Sequence, residues 1–462
     1  MEISGVEQEV STYGVIGLPD MVTEDTLEDL VSALFAASGW YVSPNVKHHG
    51  EEANEVLEID VVATKRTARD ERRRVVVEAK SGTTWGVSEL FKLLGRMTFL
   101  EESEGYFFAC EGNDKATPDI RNGFARKGCH FVLTGCTPAE VHGAFVREGL
   151  GKPGLREVQF WYHAFRLRRE VIRLPTAKDQ KKLTPAICEA IAVLREQKRF
   201  IDDGIFQHAT PLERLKALLA DYQDRRHQKL AAQVAEVLDA QRPKKDETHL
   251  RAALYGKGDP LVYTAMFLDT RARLATLNAV IDYLLEEHGA KSATDQVEAL
   301  LGLKQSAAGA MGHLSTCSDI HLYPVIWQRY VYEYGGFFID DLRDTEIADL
   351  ASTTGAAPGS VKTALGVWEI LFPMPGNSWK APQFGLELLK MLPAPIQGLG
   401  AMKRSVTHGL VVDERCYFTK LTDQATANFL KARQNIMFFR VMGKECPDDE
   451  LTPAAAWEEE TD

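Results

Sequence analysis

The spacing of apolar and polar positions changes along the chain, and the changes predict its organisation. From Glu24 to Phe35, apolar Leu27, Leu30, Val31, Leu34 and Phe35 recur at helical spacing, and Thr23 stands where an N-cap belongs. Trp40-Tyr41-Val42 predicts a short strand. Val56 to Ala63 and Val75 to Ala79 are β-branched runs separated by the basic connection Lys65 to Arg74, a hairpin pattern. A helix is expected over Val87 to Leu100, a strand over Gly105 to Cys110, a helix over Asp119 to Lys127 and a strand over Cys129 to Thr134. Gly149-Leu150-Gly151-Lys152-Pro153-Gly154 breaks this alternation and reads as a boundary. Helical spacing follows over residues 184–315. It includes a helix opened by Thr210-Pro211-Leu212-Glu213 and expected to reach Ala240, a second over Pro260 to Glu287 and a third over Ala293 to Leu314. These patterns predict an α/β domain over 1–150, a basic linker and helical bundle over 151–330, a further domain over 331–450 and an acidic tail over 451–462.

The polar residues that interrupt the strands change the picture. Asp60 stands in an otherwise apolar run, and Glu78 and Lys80 lie two apart, so their side chains leave one face of the second strand. Burying carboxylates and a lysine is costly unless something uses them. Two carboxylates can hold a hard cation such as Mg2+, and a neighbouring lysine can stabilise a phosphoryl oxygen or position a water. The bland alternative is a surface salt-bridge cluster on a hairpin.

Asp60, followed 18 residues later by Glu78-Ala79-Lys80, resembles the signature of the restriction-endonuclease-like nucleases, the PD-(D/E)XK superfamily. The resemblance covers about residues 20–137 and extends to the order of predicted elements, closest to Mrr-type restriction enzymes and Holliday-junction resolvases. Ile59 stands where the motif's proline would be. The resemblance implies a mixed central sheet flanked by helices and a metal-dependent DNA endonuclease. Asp60 and Glu78 would ligate Mg2+ (or Mn2+) with the Ala79 carbonyl, Glu28 would complete the metal shell through water, and Lys80 would orient the attacking water. It also implies a prokaryotic restriction or anti-phage defence setting. The competing class is an inactive nuclease fold kept as a DNA-binding or assembly module. A third reading is an enzyme silent until a partner protein or ligand activates it.

A second pattern lies in Glu346 to Leu365. Ile347, Leu350 and Ala351 make one helical face, Gly355 permits a turn, and Ser360 is expected to start a second helix. This resembles a helix-turn-helix. With a hairpin expected over Gly409 to Thr422 it resembles a winged-helix domain, which binds DNA or mediates protein contact and dimerisation.

Charge bears on partners. The chain is net −12, but residues 151–247 hold 20 Lys and Arg against 14 Asp and Glu, net +6. Local potential governs phosphate binding, so overall acidity does not exclude DNA. Candidate DNA contacts are Lys92 and Arg96, four apart on one helix, Arg166, Arg168 and Arg169 among the aromatics of 158–169, and Lys362. A homodimer would supply two sites for double-strand cutting. No apolar run reaches the roughly 18 residues of a membrane span. Seven unpatterned cysteines predict reduced thiols and a cytoplasmic setting.

Overall fold

The computed structural model describes residues 17–49, 55–67, 72–82, 85–110, 117–172, 185–206, 210–216, 260–286, 291–300, 314, 316–334, 338 and 343–371, with Asn428, Phe429, Ala432, Ile436 and Arg440. Two compact units result. One is Met1–Leu167 with Phe206–His208, the other Arg168–Ile205 with Ala209–Asp462.

The first unit is α/β. Its elements run α1 (Glu24–Ala37), β1 (Tyr41–His49), β2 (Glu55–Arg66), β3 (Arg72–Ser81), α2 (Val87–Phe99), β4 (Gly105–Cys110), α3 (Pro118–Ala125), β5 (Cys129–Thr134), α4 (Pro138–Arg147) and α5 (Leu155–Val171). The five strands lie in spatial order β1-β2-β3-β4-β5. β1, β2 and β3 are antiparallel, and β4 and β5 continue the sheet in parallel with β3. β3 is central, so Val75, Val76, Val77 and Ala79 are all fully buried. This explains why that strand is a continuous apolar run and not an alternating one.

β1 is longer than the expected three residues. Ser43, Pro44 and Asn45 interrupt its apolar pattern, but backbone pairing with β2 carries the strand through to His49. Asn45 adopts φ 48°, a conformation its short side chain tolerates, and its amide donates to Glu58 Oε1 at 2.9 Å.

The Gly/Pro stretch after α4 does not end the unit. Trp40 Nε1 donates to the Leu150 carbonyl at 3.1 Å, and a Cβ on Gly151 would stand 2.5 Å from that of Ser38. Glycine is therefore required for this close approach. α5 then buries Phe160, Trp161, Tyr162 and Phe165, each burial worth about 1.5–3 kcal/mol. The aromatics of 158–169 are core, not a stacking surface.

The second unit is helical among its described residues. It contains α6 (Pro185–Phe206) up to Ile205, a helical turn at 211–216, α7 (Pro260–Glu286), α8 (Lys291–Leu300), α9 (Tyr323–Tyr334), α10 (Arg343–Thr354) and α11 (Pro358–Leu371). The capping box forms as expected, with the Thr210 N–H donating to Glu213 Oε2 at 3.0 Å and the Glu213 N–H to Thr210 Oγ1 at 3.3 Å. The continuation to Ala240, the third helix beyond Leu300 and the hairpin over 409–422 lie outside the described residues.

α9 is buried along its whole length and packs against α7, α10 and α11. Trp327 Nε1 donates to the Ala364 carbonyl at 2.8 Å, tying α9 to α11. Gly355 makes the turn between α10 and α11 at φ 74°. The helix expected to start at Ser360 opens two residues earlier, because Pro358 suits a first helical position. The Asp319 carboxylate caps it, accepting from the Ala357 N–H at 3.0 Å and the Ser360 hydroxyl at 2.8 Å. No helix of the described residues is long and apolar enough to cross a membrane.

Candidate active site

β2 and β3 pair with Val61 opposite Val77, so their register carries Asp60 to Glu78. Residues opposite one another share a face, and Lys80 shares the face of Glu78. Asp60, Glu78 and Lys80 therefore meet. The Ala79 N–H donates to Asp60 Oδ2 at 2.8 Å. Lys80 Nζ stands 3.3 Å from Glu78 Oε1 and 3.8 Å from Asp60 Oδ2. Both carboxylates are buried, Asp60 at 4 % exposure and Glu78 at 2 %.

Two helices complete the cluster. α1 brings Glu28, buried, whose charge acts on Asp60, and Glu24, whose Oε1 accepts from Lys80 Nζ at 3.2 Å. Glu24 and Glu28 are four apart, one helical turn, so one face of α1 addresses the site. α2 brings Arg96, which ion-pairs with Glu78 Oε2. Glu78 thus has an ammonium on one oxygen and a guanidinium on the other.

The electrostatics follow from burial and crowding. Burial raises the Asp60 pKa well above 3.8, the charges of Glu78 and Glu28 raise it further, and Lys80 and the Ala79 N–H oppose the rise. For Lys80, burial acts to lower the pKa. The charges of Asp60 and Glu78 and the hydrogen bonds to Glu24 and Glu78 outweigh it, so the pKa is raised. Lys80 is therefore an ammonium at neutral pH, suited to donating hydrogen bonds and positive potential and not to abstracting a proton.

Among the described residues, no group of three or more His, Cys, Asp or Glu side chains is arranged to hold a metal ion by itself. Mg2+ does not need one. It is commonly held by one or two carboxylates, with waters and substrate phosphates filling the rest. Asp60 and Glu78 are hard oxygen donors, and Asp60 is buried with the charges of Glu78 and Glu28 acting on it. On donor chemistry the site fits such a cation.

The other candidates fall in different places. Ala79 reaches Asp60 through its N–H. Lys92 is exposed and paired with Glu89 at 2.7 Å, and it does not share the role of Arg96. Arg166 pairs with the buried Asp29 at 3.4 Å. Arg168 is buried at 6 % exposure. Arg169 is half-buried. Lys362 is exposed and 3.3 Å from Asp344. In the basic connection, Arg73 Nε donates to Glu104 Oε2 at 2.8 Å and Arg74 pairs with Glu102 at 2.9 Å. Sequence reasoning missed Glu24 and the inward turn of Arg96. The i,i+4 spacing of Glu24 and Glu28 was the available signal for the first.

Comparison with protein-family models, with curated proteins and with solved structures finds no match for this chain.

Proposed function

We propose that this chain is a metal-dependent DNA endonuclease built on a restriction-endonuclease-like domain, with Asp60, Glu78 and Lys80 as its active site. The observation that carries this reading is the convergence of a lysine ammonium, 3.3 and 3.8 Å away, on two buried carboxylates of neighbouring strands. A surface salt-bridge cluster would leave its carboxylates in water. These two are withdrawn from it.

Asp60 and Glu78 would hold Mg2+ or Mn2+, with the Ala79 carbonyl and, through water, Glu28. A cation held there supplies Lewis-acid polarisation of a phosphoryl oxygen. The Ala79 N–H fixes the Asp60 carboxylate. Lys80, kept protonated, directs hydrogen bonds at a phosphoryl oxygen and at the water that attacks phosphorus, and stabilises the charge that develops. Arg96 shares Glu78 with Lys80. The Gly355 turn and the packing of α9 on α10 and α11 support a helix-turn-helix of winged-helix type for binding DNA or a regulatory partner, and a homodimer would give double-strand cutting. The setting proposed is prokaryotic restriction or anti-phage defence in the cytoplasm.

One observation favours a second reading. Both Glu78 oxygens are engaged by the chain's own cations, Lys80 and Arg96. A cation must displace Arg96 to reach Glu78 fully, which suits an enzyme silent until a partner or ligand moves α2, or an inactive fold kept as a binding module.

The test is incubation of the protein with supercoiled, linear and single-stranded DNA in Mg2+, Mn2+ or EDTA, beside Lys80→Ala and Asp60→Ala. Metal-dependent cutting is expected, with a loss of about a hundredfold or more in either variant. Cutting by both variants at the wild-type rate would remove the site assignment. No cutting by the wild type under any of these conditions would favour the silent or inactive reading.

A further inference from the structure

Among the described residues of the second unit, three cations crowd around one buried carboxylate. Arg168 lies in the last turn of α5, Lys198 and Asp202 one turn apart on α6, and Arg271 on α7. Lys198 Nζ donates to Asp202 Oδ2 at 3.0 Å, and Arg271 ion-pairs with Asp202 Oδ1. Asp202 is fully buried, Arg271 is 8 % exposed and Arg168 6 %. Neither Nη1 nor Nη2 of Arg271 makes a well-directed hydrogen bond, although both are shut off from water. Among the described residues, no carboxylate lies within ion-pairing distance of Arg168.

The mutual effects bind these groups into one cluster. Burial and the charge of Arg271 push the Arg168 pKa down to about 9, with Tyr332 and Asp202 acting the other way. Burial likewise lowers the Lys198 pKa, Asp202 opposes this, and Arg271 and Arg168 add to it. Among the described residues, three cations thus share one carboxylate.

An uncompensated buried charge costs several kcal/mol, and a buried guanidinium with unmade hydrogen bonds adds to that cost. A phosphoryl monoester carries about −1.5 to −2 at neutral pH and presents three acceptor oxygens. It matches the two positive charges left over among the described residues and the open Nη2 of Arg271. A single carboxylate would neutralise only one. Guanidinium groups also suit phosphate because their planar donors engage two oxygens at once.

We propose that Arg168, Lys198 and Arg271 form a binding site for the phosphoryl group of a small soluble ligand. Asp202 holds Lys198 and Arg271 in place and competes with the ligand for them. This site does not depend on the nuclease reading, and it offers a helical unit a way to respond to a phosphorylated metabolite or nucleotide.

The experiment is calorimetric titration of the full chain with inorganic phosphate and, separately, with ATP. It is done in EDTA, so that no divalent cation at Asp60 contributes, and at ionic strength matched with chloride. Saturable binding is expected. Arg271→Gln should weaken it about tenfold or more, and Asp202→Asn, which removes the competing charge, should tighten it. Response to both probes identifies a site satisfied by phosphate alone, and response to ATP only places the phosphoryl group on a nucleotide. The proposal is overturned by absence of saturable binding of either probe, or by wild-type affinity in Arg271→Gln. If Arg271→Gln fails to fold, Asp202→Asn decides, because unchanged or weaker binding in that variant contradicts the site.

Discussion

Each unit buries a cluster of like charges, negative in one and positive in the other, and the difference teaches what each cluster can take up. In the sheet unit, Asp60, Glu78 and Glu28 crowd one another, and among the described residues the counter-charges in contact with Asp60 or Glu78 are Lys80 and Arg96. In the helical unit, Arg168, Lys198 and Arg271 crowd one another around Asp202. The first arrangement raises a carboxylate pKa and the second lowers those of cations, the two signatures of buried like charge. The proximate reason is local structure. Antiparallel register sets Asp60 beside Glu78 on neighbouring strands, whereas i,i+4 spacing sets Lys198 beside Asp202 on one helix. On charge alone, a cation would answer the first imbalance and an anion the second.

The sharpest way to break this contrast is at Arg96. Its side chain is 16 % exposed and that of Glu78 only 3 %, so the pair is largely buried. Arg96→Ala leaves Glu78 with Lys80 as its one remaining cation among the described residues and is expected to cost about 2 kcal/mol in EDTA. Saturating Mg2+ should then raise the melting temperature of the variant more than that of the wild type, because the cation no longer competes with a guanidinium. A structural ion pair alone would give the destabilisation without the enhanced metal response. An equal or smaller response in the variant would refute competition at Glu78.

A smaller effect of opposite sign is expected at Asp60. Because its folded-state pKa is raised, its contribution to folding is complete below the ordinary carboxylate value and is lost as pH climbs through the folded value. Asp60→Asn keeps an acceptor for the Ala79 N–H but removes the charge. In EDTA at neutral pH it should be more stable than the wild type by at least about 1 kcal/mol, or about 2–4 °C in a domain of this size. The difference should shrink toward acid pH. Adding Mg2+ at about 100 times its Kd should stabilise the wild type by about 2.7 kcal/mol and the variant far less. A variant less stable than the wild type at every pH would show that the carboxylate is satisfied by the protein and not held for a ligand.

How much of this could be read in the chain differs between the units for the same physical reason. The sheet unit's strands were legible because they are short β-branched runs bounded by a charged connection, and polar interruptions stand out against them, as Asp60 and Glu78 do. Their meeting was implied by the family resemblance, and the antiparallel register of the hairpin brings it about. The extent of β1 was not, since Pro44 and Asn45 hide a strand held by backbone pairing. The arginines at 166–169 looked like a nucleic-acid surface because an aromatic-basic pattern reads alike whether its aromatics face solvent or core. Burial of Phe160, Trp161 and Phe165 is decided by tertiary packing, which periodicity over one helix does not report. Arg168, Lys198 and Arg271 lie up to about a hundred residues apart in sequence, on separate helices, and no spacing rule joins them.

The smallest expected effect fixes the scale of the comparison. Lys362 and Asp344 form an ion pair at 3.3 Å, the same distance as Lys80 to Glu78, but their side chains are 59 % and 90 % exposed. Water screens both charges, and holding two long side chains in one geometry costs rotamer freedom. Lys362→Ala is therefore expected to change stability by less than about 0.5 kcal/mol, with no change in the response to Mg2+ or to phosphate. If Lys362 contacts DNA phosphate, the variant should also lower the slope of log affinity against log salt by about one, uniformly across sequences. A large loss of stability in Lys362→Ala would mean that distance, and not burial, sets the worth of these pairs. The contrast between the two buried clusters would then lose its basis, since equal separations would have equal consequences whether or not water reached them.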